Sequence, residues 1–283
     1  MISPEEDKYI LSKAYVPEHV ISLMAPISKG EPFLINGYLC FSKNNLIIIV
    51  GYPLDHDFSA EDFGKILDET VRRFRPEHVR LIASEIHPSL NRFCRERESD
   101  YYYKLELSGA EIKKDLMRLV KRASRDLNVD RGRDISKEHK ELISEFIERE
   151  KPGNRIRALF LSMQEYVLCS KTAVVLNARD KEQNLSAFYV VELAAEEFAT
   201  YVVGCHSRKN YTPGLSDLLF FEMINLAREH GKNYIHLGLG VNKGIRKFKE
   251  KWGGVQFLRY ESCEYARGEN KMFKLLRELE SKL

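Results

Sequence analysis

Apolar and polar positions along the chain form strand-like and helix-like stretches in an order that occurs twice. The first series opens with the apolar strand Leu46–Val50, which ends at Gly51 and is followed by a polar loop. A helix starts near Ala60, because apolar side chains then recur every three or four residues. The remaining predicted elements are strands at His78–Ile82 and Tyr101–Leu105, with a short helix at about Pro88–Arg97 between them.

The second series repeats these elements at nearly constant spacing. A strand ends at Gly204, a polar loop spans Cys205–Tyr211, and a helix begins near Gly214. The later elements are a strand at Tyr234–Leu237, a short helix at about Lys243–Trp252 and a strand at Val255–Leu258. Ala60 and Gly214 are 154 residues apart, as are Tyr101 and Val255. The matching order and spacing predict a structural duplication.

Each series predicts one unit that opens with an antiparallel hairpin. The hairpin strands are Gly37–Phe41 and Leu46–Val50 in the first unit, and Ala187–Leu193 and Phe198–Val203 in the second. The predicted fold class is α/β (α+β), with two tandem units that are each a mixed, mostly antiparallel sheet flanked by helices.

Two helices, at about 112–127 and 136–150, connect the predicted units. We place the boundary between about 108 and 135, which gives predicted domains of residues 1–125 and 126–283. A terminal helix is predicted at Lys271–Leu283, where it crosses back to the first unit.

Composition narrows the class of protein without identifying it. The 283 residues are 43% hydrophobic and 11% aromatic, which excludes wholesale disorder. The net charge of +3 permits an anionic partner but does not require one. The longest strongly apolar run, Leu46–Val50, is too short to span a membrane, and the acidic N-terminus does not resemble a signal peptide. We therefore expect a cytoplasmic protein.

The cysteines and the short motifs exclude several kinds of chemistry. The five cysteines are odd in number and far apart, which predicts reduced thiols and neither a disulfide scaffold nor a structural zinc site. They are Cys40, Cys94, Cys169, Cys205 and Cys263. The glycines of Gly238–Gly244 have the wrong spacing for dinucleotide binding, and motifs of metal, serine and nucleotide hydrolysis are missing. We expect no metal, no tightly bound cofactor and no DNA partner.

Two segments resemble a known family. Leu116–Ala123 is similar to its basic helix, roughly R-x-x-I-R-K-A, and Phe248–Gly253 matches its signature F-K-x-x-W/F-G. The family is that of the Fem-type peptidyltransferases, built from two tandem GNAT (N-acetyltransferase-like) units, and the C-terminal domain of phosphatidylglycerol lysyltransferases looks similar too. The resemblance covers about residues 30–265. It implies transfer of an acyl or aminoacyl group to an amine-bearing acceptor.

The resemblance leaves two co-substrates open, aminoacyl-tRNA and acyl-CoA. Acyl-CoA-binding GNAT units carry Q/R-x-x-G-x-G/A before a helix, so that backbone N–H groups hold the pyrophosphate. This chain has Tyr211 and Pro213 where glycines are needed, which favours aminoacyl-tRNA. The candidate donor-binding residues are Arg208, Thr212, Gly214 and Ser216. Thr212 is equally explained as the N-cap of a helix that begins at Pro213.

The catalytic candidates follow from attack of an amine on an activated carbonyl. The family's matching lysine contacts the reacting ester, which implies that the Lys249 ammonium stabilises the oxyanion. The amine must lose a proton, for which Glu192 and His206, at the ends of neighbouring strands, are the candidate bases. The family places the turn before Lys249 beside the acceptor, which makes Asn242 and Arg246 the substrate-binding candidates.

Two other functions stay open, an acyl-CoA-dependent N-acetyltransferase and a non-catalytic, degenerate GNAT-like protein that only binds a ligand. The basic stretch Lys113–Arg133 is either a solvated helix face or a phosphate-contacting surface for tRNA. Arg95 occupies the place of Lys249 in the first unit. We therefore expect the active cleft in the second unit, with the first as scaffold and acceptor wall. His236 alternates with apolar neighbours and is expected in the core.

Overall fold

The computed structural model describes residues 2–87, 90, 93–109 and 112–266, which belong to two units. Unit 1 contains the chain up to Tyr102, Leu239–Val241 and the chain from Gln256 on; unit 2 contains Tyr103–Gly238 and Asn242–Val255. This division differs from the predicted one at 125. The reason is that two long strands each start in one unit and end in the other, which the spacing of apolar residues does not reveal.

Unit 1 is a mixed sheet with helices on its faces. Its helices are α1 (Pro4–Lys13), α2 (Ile21–Ser28) and α3 (Ala60–Phe74), with a short 3-10 turn at Pro17–His19. Its strands are β1 (Glu31–Ile35), β2 (Tyr38–Lys43), β3 (Leu46–Gly51), β4 (His78–Ala83), the first part of β5 (Glu96–Glu106) and the last part of β11 (Val255–Ala266). Their order is β1-β2-β3-β4-β11-β5. β3 and β4 are parallel, whereas β1–β2, β2–β3 and β4–β11 are antiparallel pairs.

The core of unit 1 has two apolar layers, one on each face of the sheet. α3 buries Phe63, Leu67 and Val71 on one face, as its helical spacing predicts. Ser59 starts this helix, because its side chain accepts a hydrogen bond from the Asp62 backbone N–H at 3.2 Å. The other face carries a separate apolar cluster that includes residues of β2, β3 and β11.

Unit 2 is a second mixed sheet with its own helices. The helices are α4 (Lys114–Ala123), α5 (Lys137–Glu150), α6 (Asn154–Leu161), α7 (Met163–Cys169), α8 (Leu215–Glu229) and α9 (Lys243–Lys251). The strands are the last part of β5, β6 (Asn128–Gly132), β7 (Ala173–Arg179), β8 (Leu185–Glu192), β9 (Phe198–His206) and β10 (Tyr234–Leu239), in the order β5-β10-β9-β8-β7-β6. β9 and β10 are parallel, whereas β6–β7, β7–β8 and β8–β9 are antiparallel pairs. In the described ranges no helix is both long enough and apolar enough to cross a membrane.

The same series of elements occurs in both units. The hairpin β2–β3, helix α3 and strand β4 of unit 1 correspond to β8–β9, α8 and β10 of unit 2, and in each case the strand after the helix pairs in parallel with the strand before it. This confirms the predicted α/β fold class of mixed, mostly antiparallel sheet flanked by helices. In unit 2, Leu116, Val120 and Ala123 of α4 pack in the same apolar core as α8.

Several predicted elements differ from the observed ones. Four of the ten positions of the short helix predicted at Pro88–Arg97 lie outside the described residues, and its last two positions begin the strand β5. The helix predicted at 112–127 is shorter, Lys114–Ala123, because the chain then turns into β6. The terminal helix predicted at Lys271–Leu283 lies outside the described residues.

The prediction of five reduced cysteines is wrong for one pair. Cys94 and Cys263 form a disulfide, with their Cα atoms 5.6 Å apart. These residues are 169 positions apart in the chain, and they meet because β11 comes back beside the start of β5, where the Arg95 N–H donates to the Glu264 carbonyl at 2.9 Å. Cys40, Cys169 and Cys205 are free thiols.

Candidate functional site

The parallel strands of unit 2 separate part-way along their length. β9 and β10 are in register at three positions, the last of which joins Thr200 to His236. Beyond this pair β9 continues for six residues, to His206, and β10 for three. Because pairing stops while both strands continue, a space opens between them, lined by Tyr201–His206 on one side and Leu237 and Gly238 on the other. We call this space the β9–β10 cleft.

A β-bulge lies on the β9 wall of this cleft. Val190 pairs with Val203 and Val191 with Tyr201, so Val202 has no register partner on β8, and it has none on β10. A bulge takes a residue out of the regular ladder and changes the direction of its backbone groups, and bulges are frequent beside active sites. The cleft wall therefore includes a peptide segment outside the regular strand pairing.

Lys249 is the buried residue of an otherwise exposed helix. Its side chain is 4% exposed, while α9 has no other fully buried position. The Lys249 Nζ lies 5.5 Å from the centroid of the Tyr103 ring, a distance at which an ammonium is attracted to an aromatic face. Its charge also acts on His236. Burial and the positive charge of Lys249 lower the pKa of His236 to about 3, so this imidazole is neutral at pH 7.

The residues around Lys249 in the signature fix the position of α9. Phe248 packs edge-on against Phe220 of α8, with the ring centroids 5.4 Å apart, and the Trp252 ring lies 5.0 Å from the same phenyl ring. The Trp252 Nε1–H donates to Asp217 at 2.8 Å. Gly253 has φ 89°, a conformation that favours glycine. The aromatic residues of the F-K-x-x-W-G pattern thus anchor α9 against α8, and this anchoring fixes the position of Lys249 between Phe248 and Trp252.

Polar side chains line the point where β9 and β10 part. The Thr200 hydroxyl is buried and has no hydrogen-bond partner among the described residues. Tyr201 and Tyr189 pack edge-to-face at 4.9 Å, and the Tyr189 hydroxyl donates to the Ser216 carbonyl at 3.3 Å. Burial raises the pKa of Tyr201 well above its usual value, which keeps the phenol protonated. The point where the strands part therefore carries a buried hydroxyl group, that of Thr200, and a protonated phenol, that of Tyr201.

Three backbone N–H groups of the loop before α8 already have acceptors within the chain. The Arg208 N–H donates to the Glu145 carboxylate at 2.9 Å, and those of Lys209 and Asn210 donate to the Ser207 hydroxyl. A phosphate at this place would have to displace these internal acceptors.

The start of α8 is also covered. Its N-cap is Gly214, with φ 85° and no side-chain cap, so the expectation of Thr212 as N-cap and Pro213 as first helical residue is wrong. Gly214 approaches α4 so closely that an added Cβ would lie 2.9 Å from the Leu119 carbonyl oxygen. A carbonyl oxygen at the positive end of a helix disfavours an anion there.

The structure gives Glu192 a supporting role. The carboxylate is 1% exposed and accepts hydrogen bonds from the backbone N–H groups of Leu193 and Ala194 at 2.8 and 2.9 Å. It also accepts from three hydroxyl groups, those of Tyr166, Ser170 and Thr172. These five donors use the acceptor capacity of the carboxylate. They argue against Glu192 as the base that takes a proton from a substrate.

His206 lies at the far end of the cleft. Burial and the positive charge of Arg149 lower the pKa of His206, which favours the neutral imidazole that a base requires. However, six residues separate it from Thr200, which corresponds to about 20 Å along a strand. The structure therefore associates Lys249 with His236 and Tyr103, and places His206 apart from the start of the cleft.

The remaining candidates lie at helix ends. The Asn242 side chain caps α9, since it accepts from the Ile245 N–H at 3.0 Å. Arg246 is exposed on α9, Arg208 is exposed beside α8, and Ser216 is half-buried in the first turn of α8. Asn242 therefore acts first on the helix that carries Lys249, whereas the two arginines are free to meet a ligand at the surface.

The basic stretch around α4 is partly neutralised. Arg118 pairs with Asp115 at 2.8 Å, Asp126 pairs with Lys181 at 3.0 Å, and Arg131 pairs with Glu229. Five exposed cations form no ion pair within the part of the chain that the structure describes. They are Lys113, Lys114, Lys121, Arg122 and Arg125. An unneutralised basic surface therefore lies on the helix that packs against the start of α8.

Sequence reasoning missed three features of this site. Tyr103 was assigned only to a strand, although its ring faces Lys249. Thr200 and the bulge at Val202 had no sequence signal, because both depend on where β9 leaves β10. The run Tyr101-Tyr102-Tyr103 was the available hint, since three consecutive tyrosines put aromatic rings on both faces of a strand.

Solved structures match the chain over nearly its whole length. FemX matches with a TM-score of 0.64 and 11% identity, covering 96% of this chain and 97% of that chain. The C-terminal domain of a protein described as a putative lysylphosphatidylglycerol synthetase from Agrobacterium fabrum matches with a TM-score of 0.60 and 16% identity, covering 97% of this chain and 95% of that chain. A tandem GNAT protein from the clavulanic acid biosynthesis pathway matches with a TM-score of 0.57 and 10% identity, covering 94% of this chain and 97% of that chain.

These similarities establish the fold. No protein-family model and no curated protein matches the chain. The structural neighbours are of the three kinds that the motifs resembled, which confirms the expectation of a tandem GNAT-like, Fem-like fold.

Proposed function

We propose that the chain transfers an acyl or aminoacyl group from an activated donor to an amine, and that the reaction takes place at the β9–β10 cleft of unit 2. The observation that carries this proposal is the burial of Lys249 beside His236, at the pair where β9 and β10 part. The Lys249 ammonium places a buried positive charge at the point where the two strands separate, and buried charges that shift a neighbouring pKa are frequent at functional sites.

The arrangement suits the chemistry of an ester under attack. The amine nitrogen forms a bond to the carbonyl carbon, and the carbonyl oxygen becomes an oxyanion. The ammonium of Lys249 stabilises that negative charge in a site from which water is largely excluded. The bond from carbon to the leaving oxygen then breaks, and the proton lost by the amine is taken by this oxygen.

The contacts of unit 2 favour aminoacyl-tRNA as the donor over acyl-CoA. Three amides of the loop before α8 already donate to Glu145 and Ser207, and the start of α8 faces the Leu119 carbonyl. The exposed cations on and around α4 supply charge for the phosphates of an RNA. The fold neighbours include FemX and a lysylphosphatidylglycerol synthetase domain, and their resemblance supports an aminoacyl donor.

The decisive experiment compares two lysines of the same helix. Transfer of labelled amino acids from pre-charged total tRNA to a primary amine in excess is measured for the wild type, Lys249→Ala and Lys247→Ala. Lys247 is exposed, so its variant controls for the loss of positive charge. We expect Lys249→Ala to transfer about 100-fold more slowly or worse, which is typical of losing one oxyanion-stabilising group, and Lys247→Ala to match the wild type.

One result would contradict the proposed catalytic role of Lys249, and another would contradict the proposed donor. A Lys249→Ala protein that transfers at the wild-type rate would remove the catalytic assignment. Release of thiol from acetyl-CoA in the presence of the same amine, without any transfer from tRNA, would instead identify an acyl-CoA-dependent enzyme.

A further inference from the structure

A buried carboxylate in unit 1 holds two arginines that the proposed reaction does not use. Glu261 on β11 is 1% exposed. Its Oε2 accepts from Arg97 Nε and Nη2, both at 3.1 Å, and its Oε1 accepts from Arg259 Nε and Nη2 at 3.2 and 2.8 Å. The Ser99 hydroxyl donates to the same Oε1 at 2.8 Å. We call this group of four side chains the arginine clasp.

The carboxylate is fully satisfied, whereas the arginines are not. Burial by itself would raise the pKa of Glu261, but the hydrogen bonds from Ser99, Arg97 and Arg259 outweigh burial and hold the pKa below its usual value. The carboxylate is therefore ionised at neutral pH. One negative charge then faces two positive charges, and the clasp retains a net charge of one positive unit.

Both guanidinium groups remain accessible. The Arg97 side chain is 43% exposed and the Arg259 side chain 52%. Each uses its Nε–H and one Nη2–H on Glu261, which leaves three N–H donors per side chain that are not used on this carboxylate. Neither arginine pairs with a second carboxylate among the described residues. Their outward edges are held in place by a shared, buried anchor.

We propose that the arginine clasp is an oxyanion-binding site for the phosphate group of a phosphate ester. Planar guanidinium forks match the oxygens of phosphate, and two forks fixed on one carboxylate are already ordered before the ligand arrives. The exposed lysines of the chain carry charge without such fixed geometry. The proposal stands on unit 1 and does not depend on the transfer reaction of unit 2.

The test measures binding of sn-glycerol 1-phosphate, inorganic phosphate and cytidine monophosphate to the full chain by calorimetry at constant ionic strength. Saturable binding of all three assigns the site to phosphate itself, whereas preference for one of the esters identifies a headgroup-like or a nucleotide-like source. We expect Arg97→Lys and Arg259→Lys each to weaken binding about tenfold, since each keeps its charge but loses the two-pronged donor edge. Arg73→Lys, at an exposed position of α3, is the matched control and should bind as the wild type does.

Glu261→Gln separates fixed geometry from charge, because it makes the clasp more positive while it removes the carboxylate that holds both arginines. The clasp predicts weaker binding in this variant, whereas simple charge attraction predicts stronger binding. Equal affinities in the wild type and both clasp lysine variants, or equal losses in Arg73→Lys, would overturn the proposal. Lys249→Ala should bind phosphate normally, so failure of the transfer proposal and failure of the clasp give different results.

Discussion

The parallel strand pairs of the two units occupy the same place in the fold, but one pair stays hydrogen-bonded along its length and the other separates. In unit 1, β3 and β4 stay in register over six positions, from Leu46 with His78 to Gly51 with Ala83. In unit 2, β9 and β10 stay in register over only three positions, and β9 carries a bulge at the point of separation. The corresponding hairpin of unit 1, β2 with β3, shows no shift of register. A closed copy and an open copy of one unit therefore occur in one chain.

The side chains that surround the two matching glycines differ in chemistry. A Cβ on Gly51 would lie 2.7 Å from both the Phe63 ring and the Ala83 Cβ, so apolar atoms fill the place where a cleft would be. A Cβ on Gly204 would lie 2.5 Å from the Tyr201 hydroxyl oxygen and 2.6 Å from the Tyr189 ring. Both glycines are therefore crowded, Gly51 by a phenyl ring and an alanine of the paired strand, and Gly204 by two tyrosines of β8 and β9.

Removing the apolar filler of unit 1 is the strongest way to break this comparison. Phe63 is 4% exposed, and Phe63→Ala should lower the free energy of unfolding by about 3–5 kcal/mol, because it removes buried area and leaves a cavity. Lys65→Ala, at a side chain of the same helix that is 59% exposed, should cost less than about 1 kcal/mol. Urea unfolding of the full chain measures both, and similar losses in the two variants would mean that Phe63 does not hold β3 and β4 together.

Acid should destabilise both units through one buried histidine each. Burial lowers the pKa of His19 in unit 1 to about 4, and burial with the charge of Lys249 lowers that of His236 to about 3. Between pH 6.5 and these values the unfolded chain binds more protons than the folded chain, so stability falls as the pH falls. At pH 5 each histidine should cost about 2 kcal/mol.

Single substitutions separate the two histidines. His19→Gln and His236→Gln should each lose about 2 kcal/mol less stability than the wild type between pH 7.5 and pH 5. Urea unfolding at the two pH values provides the measurement. A variant whose acid loss equals that of the wild type would show that the substituted imidazole is already protonated in the folded chain.

The two helix caps give the smallest expected loss of stability, and they separate an effect on stability from an effect on transfer. Ser59 caps α3 and Asn242 caps α9, each by accepting from the backbone N–H three residues later, at 3.2 and 3.0 Å. Replacing either with Ala should cost about 1 kcal/mol. Only Asn242→Ala should also slow amine transfer beyond the fraction unfolded, because α9 carries Lys249. Equal transfer rates in the two cap variants would show that the reaction does not depend on the orientation of α9.

Much of the fold follows from the sequence because the repeated elements have strong local patterns. The apolar spacing of α3 and the turn between β2 and β3 are set by neighbouring residues, so both were predicted at nearly their observed bounds. Short strands such as β6 and the small helices α6 and α7 carry weak periodicity and were missed. Lys249 was found through a motif, not through its burial.

The rest depends on contacts between distant residues. Glu192 looked like a strand-end base, and only the folded chain shows the hydroxyl groups of Tyr166, Ser170 and Thr172 around it. The disulfide was equally hidden, because nothing local pairs Cys94 with Cys263. Likewise, Gly214 replaced Thr212 as the cap because α4 packs against the start of α8.

The return of β11 to unit 1 sets an order for biosynthesis. β4 takes the tail of β11 as its neighbour, from Ala83 with Glu261 to His78 with Ala266. During synthesis β4 therefore leaves the ribosome before β11 has been made, and one edge of β4 stays unpaired until the chain has extended through unit 2 to Ala266. An unpaired strand edge promotes aggregation, so unit 1 is exposed to that risk for as long as unit 2 is being made.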